Sequence, residues 1–350
     1  MFGRGKPQAL TGLDIGSTSV KAVQLKRTGA GYQLVAAGME PLPPNLVVDG
    51  AVVDAQGVAE KINTVFSAQG ISSTGVATSI CGHSVIVKRL PMPLMSEMEL
   101  YDQLPIQAAE HIPFDVADVS LSYQLLGRSD TELDVLLVAA RKDRIKNRME
   151  TLARAGKEGR VLDVDAFALE NCFEANYEPH PGELVALLNI GAAVMNINIA
   201  RDGAPLFTRD VAMGGADFTE ALRKKLDMSF EEAEQLKTGG TSAGVGDAQH
   251  DAILRPVSER LVGEIKKTFD FFRATSSGQE ISCLFVAGGT ARLPGLPELM
   301  RLELGLPVDE LNPFRKILIP PGHPNEIALR VGSAQFAVAV GLGMRTQEAS

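Results

Sequence analysis

The sequence predicts an α/β protein made of two related halves, each a mixed sheet flanked by helices, with a small α+β unit inserted in the first. Three observations carry this. A strand–Gly turn–strand–strand pattern opens at Leu10 and returns at Leu184, an internal echo about 175 residues apart. Helical periodicity follows each of these strand groups. Between them, composition shifts at Pro91-Met92-Pro93, where a separate run of helix, two strands and helix begins. The length of 350 residues and the balance of 45% hydrophobic to 22% charged residues suit about two domains with substantial cores.

In chain order, Met1–Ala9 reads as a loose basic tail. Leu10–Ile15 and Val20–Lys26 are strand-like runs joined by Gly16-Ser17-Thr18-Ser19, and Tyr32–Ala37 is a third. Val58–Gln69 places apolar residues at helical spacing and stops at Gly70. Gly75–Ile80 and Ser84–Leu90 are strands. Ser96 with Glu99 forms a capping box for a helix over Glu97–His111, ended by Ile112-Pro113-Phe114. Leu121–Leu126 and Asp134–Ala140 are strands, Asp143–Ala155 a helix, Val161–Val164 a short strand and Ala166–Ala175 a helix. The second half brings strands at Leu184–Ile190, Met195–Arg201 and Ala204–Val211. Helices follow at Gly215–Leu226, Ser229–Leu236 and Ile253–Thr275, with a flexible Gly-rich stretch at Thr238–Asp247. Ser282–Ala287 is a strand, and Asn325–Arg345 reads as one Ala/Gly-rich helix. The division expected is a first half over 10–90, 161–182 and 326–345, an insert over 91–160, and a second half over 183–325 with a helical part near 215–280.

Several function classes are disfavoured. Three scattered cysteines (Cys81, Cys172, Cys283) form no CxxC, which argues against a disulfide framework. Five dispersed histidines show no metal-ligand spacing, and the net charge of −9 opposes a sequence-independent grip on nucleic acid. No apolar run approaches the roughly 20 residues of a membrane span.

Three motifs carry chemistry. In Gly12-Leu13-Asp14-Ile15-Gly16-Ser17-Thr18-Ser19-Val20-Lys21, the glycines allow close backbone approach. The Ser17, Thr18 and Ser19 hydroxyls and nearby amides can face phosphate oxygens. Asp14 at the strand end suits a divalent cation, directly or through water, and Lys21 is either a phosphate contact or a surface lysine. Leu188-Asn189-Ile190-Gly191-Ala192-Ala193-Val194-Met195 repeats the strand and Gly turn without the hydroxyls, with an amide where Asp14 stands in the first. Phe285-Val286-Ala287-Gly288-Gly289-Thr290-Ala291 ends a strand in Gly-Gly, and Gly214-Gly215 precedes a helix similarly. Taken singly, each of the last three is as well explained by a tight structural turn.

Together, in this order, the motifs resemble those of the actin-like ATPase family, in which two ribonuclease-H-like halves clamp a nucleotide. Within it the chain resembles the PilM family of type IV pilus assembly. That likeness rests on Leu13–Lys21, on Leu90-Pro91 through Ser96–Leu100, on Glu110–Phe114 and on Leu162–Leu169, and covers nearly the whole chain. It implies ATP or ADP with Mg²⁺ in the cleft. The metal would sit at Asp14. Gly16, Ser17, Thr18, Ser19 and Lys21 would serve the phosphates, Gly191, Gly214 and Gly215 the second loop, and Gly288, Gly289 and Thr290 the adenosine. Glu234 and Lys237 would meet ribose or base, and Asp165 would orient the attacking water. The helices Asp165–Asn171 and Glu326–Leu342 would connect the halves.

Second loops in the actin-like ATPase family usually carry Asp where Asn189 stands and a hydroxyl near Met195, so weak or absent hydrolysis is expected, at most a weak ATPase. The resemblance implies a cytoplasmic protein peripheral to the bacterial inner membrane, touching it only through partners. The partner expected is the cytoplasmic N-terminal peptide of PilN, docked near Leu90–Leu100 and Glu110–Phe114. Other inner-membrane pilus proteins, the pilus motor ATPases and self-association are further candidates. The alternatives are an FtsA-like filament or cell-division protein, and a small-molecule kinase of the same fold. The chain's end, Thr346–Ser350, lacks the amphipathic helix of the division proteins, which favours the pilus family.

Overall fold

The computed structural model describes residues 8–29, 31–239, 246–326, 329 and 332–347. Most of the basic tail and the core of the Gly-rich stretch (240–245) lie outside the described residues, as do four positions of the expected C-terminal helix.

Two short strands bracket the first half: β1 (Gln8–Ala9) pairs with a C-terminal segment, Thr346–Gln347. The alternation expected from Leu10 produces β2 (Thr11–Ile15), β3 (Ser19–Thr28) and β4 (Gly31–Pro41), an antiparallel meander. A small hairpin, β5 (Val47–Val48) with β6 (Ala51–Val52), leads to α1 (Ala55–Ala68). Asp54 caps that helix by accepting from the Gln56 and Gly57 amides. Strand β7 (Gly75–Ile80) then pairs in parallel with β2.

The insert is a three-stranded sheet, β8 (Val85–Pro93), β9 (Val119–Arg128) and β10 (Glu132–Arg141), in the order β8-β10-β9. Helix α2 (Glu97–His111) has the expected capping box between Ser96 and Glu99 and packs Leu100, Leu104 and Ala108 inward. The break expected at Pro91 is absent: β8 continues through Pro91 and Pro93, opposite Asp134 and Glu132. As an edge strand, β8 has an outer row of amides that needs no ladder partner, so proline costs little there. Helix α3 (Lys142–Arg154) leads back to β11 (Glu158–Val164), which joins the first sheet beside β7.

Helix α4 (Asp165–Asn176) connects to the second half, where β12 (Val185–Ile190), β13 (Met195–Arg201) and β14 (Ala204–Val211) form another antiparallel meander. Three helices follow: α5 (Gly215–Leu226), α6 (Phe230–Lys237) and α7 (Asp247–Thr275). The last starts earlier than expected and carries Pro256 in its interior. Strand β15 (Cys283–Ala287) pairs in parallel with β12, and after α8 (Leu296–Leu304) strand β16 (Val308–Glu310) pairs with β15.

The sheet orders are β11-β7-β2-β3-β4 and β14-β13-β12-β15-β16. Read from opposite ends, they have one topology: a three-strand meander whose first strand takes two successive parallel neighbours. The echo seen in the sequence is thus a repeated fold. At the C-terminus the expected single helix is interrupted: Glu326 and Leu329 are helical, and the chain bends at Gly332. A 3₁₀ turn, Ser333–Phe336, follows Gly332 and leads into α9 (Ala337–Gly343). This helix is buried along its whole length and lies against α4 and β2. A core shared by the halves joins Val23 and Leu25 of the first sheet, Leu169 and Phe173 of α4, and Val185 and Leu187 of the second sheet.

Candidate functional site

The first glycine turn sits at the end of β2, where its chemistry is presented rather than buried. The Gly16 amide donates to the Ser19 carbonyl at 3.0 Å, closing a tight hairpin. Asp14 and Lys21 face each other across it, Nζ to Oδ2 at 2.9 Å. Among the described residues the side-chain hydroxyls of Ser17, Thr18 and Ser19 have no partner in the protein.

The second turn copies the first. The Gly191 amide donates to the Val194 carbonyl, again at 3.0 Å. The first turn of α5 then docks behind it, with the Gly215 and Ala216 amides donating to the Gly191 and Ala192 carbonyls. A Cβ on Gly214 would come within 2.4 Å of the Gly191 oxygen. The third turn also closes on the second: Thr290 Oγ1 donates to the Gly191 carbonyl at 3.1 Å. Gly288 has φ 92° and lies so near the end of β12 that a Cβ would meet the Ile190 oxygen at 2.4 Å.

All three turns open on one cavity of about 810 Å³ between the halves, within the usual range for small-molecule sites. Of the residues expected to line it, Asp14, Gly16, Ser17, Thr18, Ser19, Lys21, Asp165, Gly191, Glu234, Lys237, Gly288, Gly289 and Thr290 do so. Gly214 and Gly215 do not. They brace the second turn from behind, because the α5 amides are already spent on its carbonyls. Glu234 and Lys237 reach the cavity from α6, but their heads are engaged. Lys237 Nζ donates to Glu234 Oε2 at 2.6 Å and to Thr219 Oγ1 at 3.0 Å.

The cavity floor is acidic. Burial pushes the Asp165 carboxyl above its ordinary range, and the charge of Asp14 adds to the effect. Asp210 is also raised by burial, although it accepts from Asn196 and from the Gly82 amide. The Cys81 thiol is pushed up by burial and by Asp165 and Asp210. A chain of amides connects this floor to the second turn: Asn189 Nδ2 donates to Asn196 Oδ1 at 3.0 Å, and Asn196 Nδ2 donates to Asp210 Oδ1 at 2.8 Å. Cys81, Arg148 and Asn196 line the cavity too. The sequence did not single them out, because none belongs to a glycine motif. Among the described residues no group of three or more His, Cys, Asp or Glu is placed to hold a metal. One carboxylate beside a phosphate-type turn is nevertheless how Mg²⁺ is commonly held, with the phosphates supplying further oxygens. Asp14 beside free hydroxyls fits that donor set.

Among the described residues no helix is long and apolar enough to cross a membrane.

The family described as type IV pilus assembly protein PilM matches residues 12–347. A solved PilM–PilN type IV pilus biogenesis complex contains a chain 27% identical, with TM-score 0.87, covering 97% of this chain and 99% of that one. MreB5 of Spiroplasma citri bound to ADP is 11% identical with TM-score 0.53.

 The aligned parts are 95% of this chain and 94% of the MreB5 chain, and at that identity the likeness shows the fold alone. The ethanolamine utilization protein EutJ of Escherichia coli K12 is 30% identical over 117 residues, which are 33% of this chain and 37% of EutJ. The chain therefore spans only about a third of that relative's length, while it matches the pilus protein almost end to end. The fold is that of the actin-like ATPases.

Proposed function

The chain belongs to the PilM family of type IV pilus assembly proteins, and from that premise we propose that it is an ATP-binding scaffold of the pilus inner-membrane assembly complex. In this reading it works on the cytoplasmic side and holds the cytoplasmic N-terminal peptide of a PilN protein on its insert. ATP or ADP with Mg²⁺ acts as a conformational ligand, with weak or absent hydrolysis. The observation that supports it most is the convergence of the three glycine turns on one cavity between two like halves.

The bound group would supply a polyanion and a divalent charge that draw both halves together. The chain's own residues do the rest. Ser17, Thr18 and Ser19 offer uncommitted hydroxyls to phosphate oxygens. Lys21 holds the Asp14 carboxylate in place at the turn, where Asp14 would hold the cation. Gly288 and Gly289 let a flat base approach the backbone. Asp165, with its raised carboxyl, is the candidate for orienting water. Asn189 has no charge to add, and missing electrostatic help slows phosphoryl transfer by orders of magnitude.

Binding is tested by denaturing the purified protein and chromatographing the released nucleotide, and then by titration with ATP and Mg²⁺. Asp14→Ala is expected to weaken Mg²⁺–ATP binding roughly tenfold or more, since it removes a charge-assisted contact. Turnover of several ATP per minute that disappears in Asp14→Ala would refute the slow-hydrolysis part. An unchanged affinity would remove Asp14 from the site.

For the peptide, Leu94, Met98 and Tyr101 are exposed on the insert while Met92 and Leu100 are buried in its core. Flexible methionine beside an exposed aromatic suits an apolar peptide. In a fluorescence titration with a PilN N-terminal peptide, Met98→Asp and Tyr101→Ala are each expected to weaken binding by about tenfold. Wild-type affinity in both would move the groove elsewhere.

A further inference from the structure

Helix α3 carries a buried arginine from the insert to the cavity. Arg148 is only 3% exposed, yet it lines the cavity. Among the described residues its guanidinium makes one hydrogen bond, from Nη1 to the Ile15 carbonyl at 3.4 Å, and no ion pair. Arginine has five N–H donors in a planar fork. Burying such a group with most donors unused is costly unless something anionic completes it. The groups whose charge acts on it are Cys81, Asp165 and Asp14, all of which line the same cavity. None of these lies on α6, the helix expected at the adenosine end. Ile15 immediately precedes the Gly16–Ser19 turn, so Arg148 stands at the phosphate end.

Its own helix makes the position consequential. Strand β10 of the insert ends at Arg141 and α3 starts at Lys142, with no loop between them. Lys142 Nζ donates to the Ala117 carbonyl of the insert at 2.8 Å, and the Arg141 guanidinium lies 5.8 Å from the ring centre of Phe114. Phe114 belongs to one of the two segments proposed for the peptide groove. Asn147, next to Arg148, binds both the amide and the carbonyl of Val52 in the first half.

We propose that Arg148 contacts the terminal phosphate of a bound nucleoside triphosphate, and that α3 passes this occupancy to the insert. The inference rests on the nucleotide reading above and names the residue that distinguishes triphosphate from diphosphate. A ligand shifts a conformational equilibrium only by its differential affinity for the two states. A contact made by the last phosphate alone supplies such a difference.

The experiment is calorimetric titration of the full chain and of Arg148→Met and Arg148→Lys, with AMPPNP and with ADP, each with Mg²⁺. Peptide affinity is then measured in the presence of either nucleotide. Arg148→Met is expected to weaken AMPPNP roughly tenfold or more and ADP by less than about twofold. Arg148→Lys, which keeps the charge but loses the fork, is expected to fall between. The difference in peptide affinity between the two nucleotide states should vanish in the Met variant. Far-ultraviolet circular dichroism checks folding, and if the Met variant is unfolded the Lys variant alone decides. Equal loss for both nucleotides, or no loss, in a folded variant overturns the inference while leaving the nucleotide reading intact. Failure of the wild-type chain to bind either nucleotide overturns both.

Discussion

Gly341→Ala is expected to destabilise the fold severely, read as a large loss of soluble protein and a strongly lowered melting transition. Helix α9 crosses α4 at this residue with no side chain between the backbones. A Cβ at Gly341 would stand 1.7 Å from the Ala168 oxygen and 2.6 Å from its carbonyl carbon. Both are backbone atoms, so no rotamer change relieves the clash, and the helices must separate. Overpacking of a core already costs about 1–3 kcal/mol when side chains can adjust. Here about 4 kcal/mol or more is expected, a large part of the stability of a typical domain. Gly12→Ala should behave alike, because its Cβ would meet the Ala339 oxygen at 2.1 Å and the Gly343 nitrogen at 2.3 Å. Gly12 lies on β2, the strand that presents Asp14, so one crossing both joins the halves and sets the phosphate turn. Gly263 in α7 is the control: among the described residues nothing beyond its own helix backbone lies within 4 Å of its Cβ position. Gly263→Ala is expected to be neutral or to stabilise by about 0.5–1 kcal/mol through helix propensity. A folded Gly341→Ala that melts like the wild type would show that α9 does not cross α4 this closely.

The features that could be read from the sequence are those encoded locally. The hairpin around Gly16 announces itself because strand alternation, glycine and three hydroxyl residues stand together. The repeat at Leu184 is visible for the same reason, and the Gly16 and Gly191 amides indeed make equivalent bonds. The capping box at Ser96 is likewise local. What escaped depends on distant pairing. Pro91 and Pro93 looked like a break because an isolated chain does not reveal that β8 is an edge strand. Gly214 and Gly215 looked like ligand contacts because only the docked structure shows the α5 amides used on the second turn. Arg148 is one of several basic residues on α3, and nothing in its own segment marks it as the buried one.

Asn189 shows both sides of this. Its sequence context reveals a missing carboxylate. The fold adds what the amide does instead: it donates to Asn196, which donates to Asp210, whose other oxygen receives the Gly82 amide from the first half. An aspartate at 189 could not donate to Asn196, and it would add another carboxylate to a cavity already lined by Asp14 and Asp165, with Asp210 behind Asn196. The residue that removes charge from the second turn is therefore part of the link between the halves.

The same connection between halves contains a group whose titration should be visible in stability. Glu170 on α4 is buried, with Oε2 accepting from Asn198 Nδ2 of β13 at 2.8 Å. Its Oε1 and the Asn198 Oδ1 are both buried without a partner among the described residues. Burial raises the Glu170 carboxyl to about 7; the Asn198 donor opposes the shift and the Glu174 charge adds to it. An acid whose folded pKa is raised binds more protons when folded than when unfolded, so stability falls as pH rises. The fall begins near the unfolded value of about 4.5 and is complete above about 7. The full penalty is on the order of 3 kcal/mol, from about 1.4 kcal/mol for each pH unit between the two values. Glu170→Gln keeps the shape and removes the charge. At about pH 8 it is expected to be more stable than the wild type by on the order of 2–3 kcal/mol, and the advantage should shrink to under about 1 kcal/mol near pH 5. Denaturant melts of both proteins across this range check it. A difference that stays constant with pH would mean that Glu170 is already ionised, or already neutral, throughout, and that Glu170 Oε1 and Asn198 Oδ1 are satisfied by something other than a proton between them.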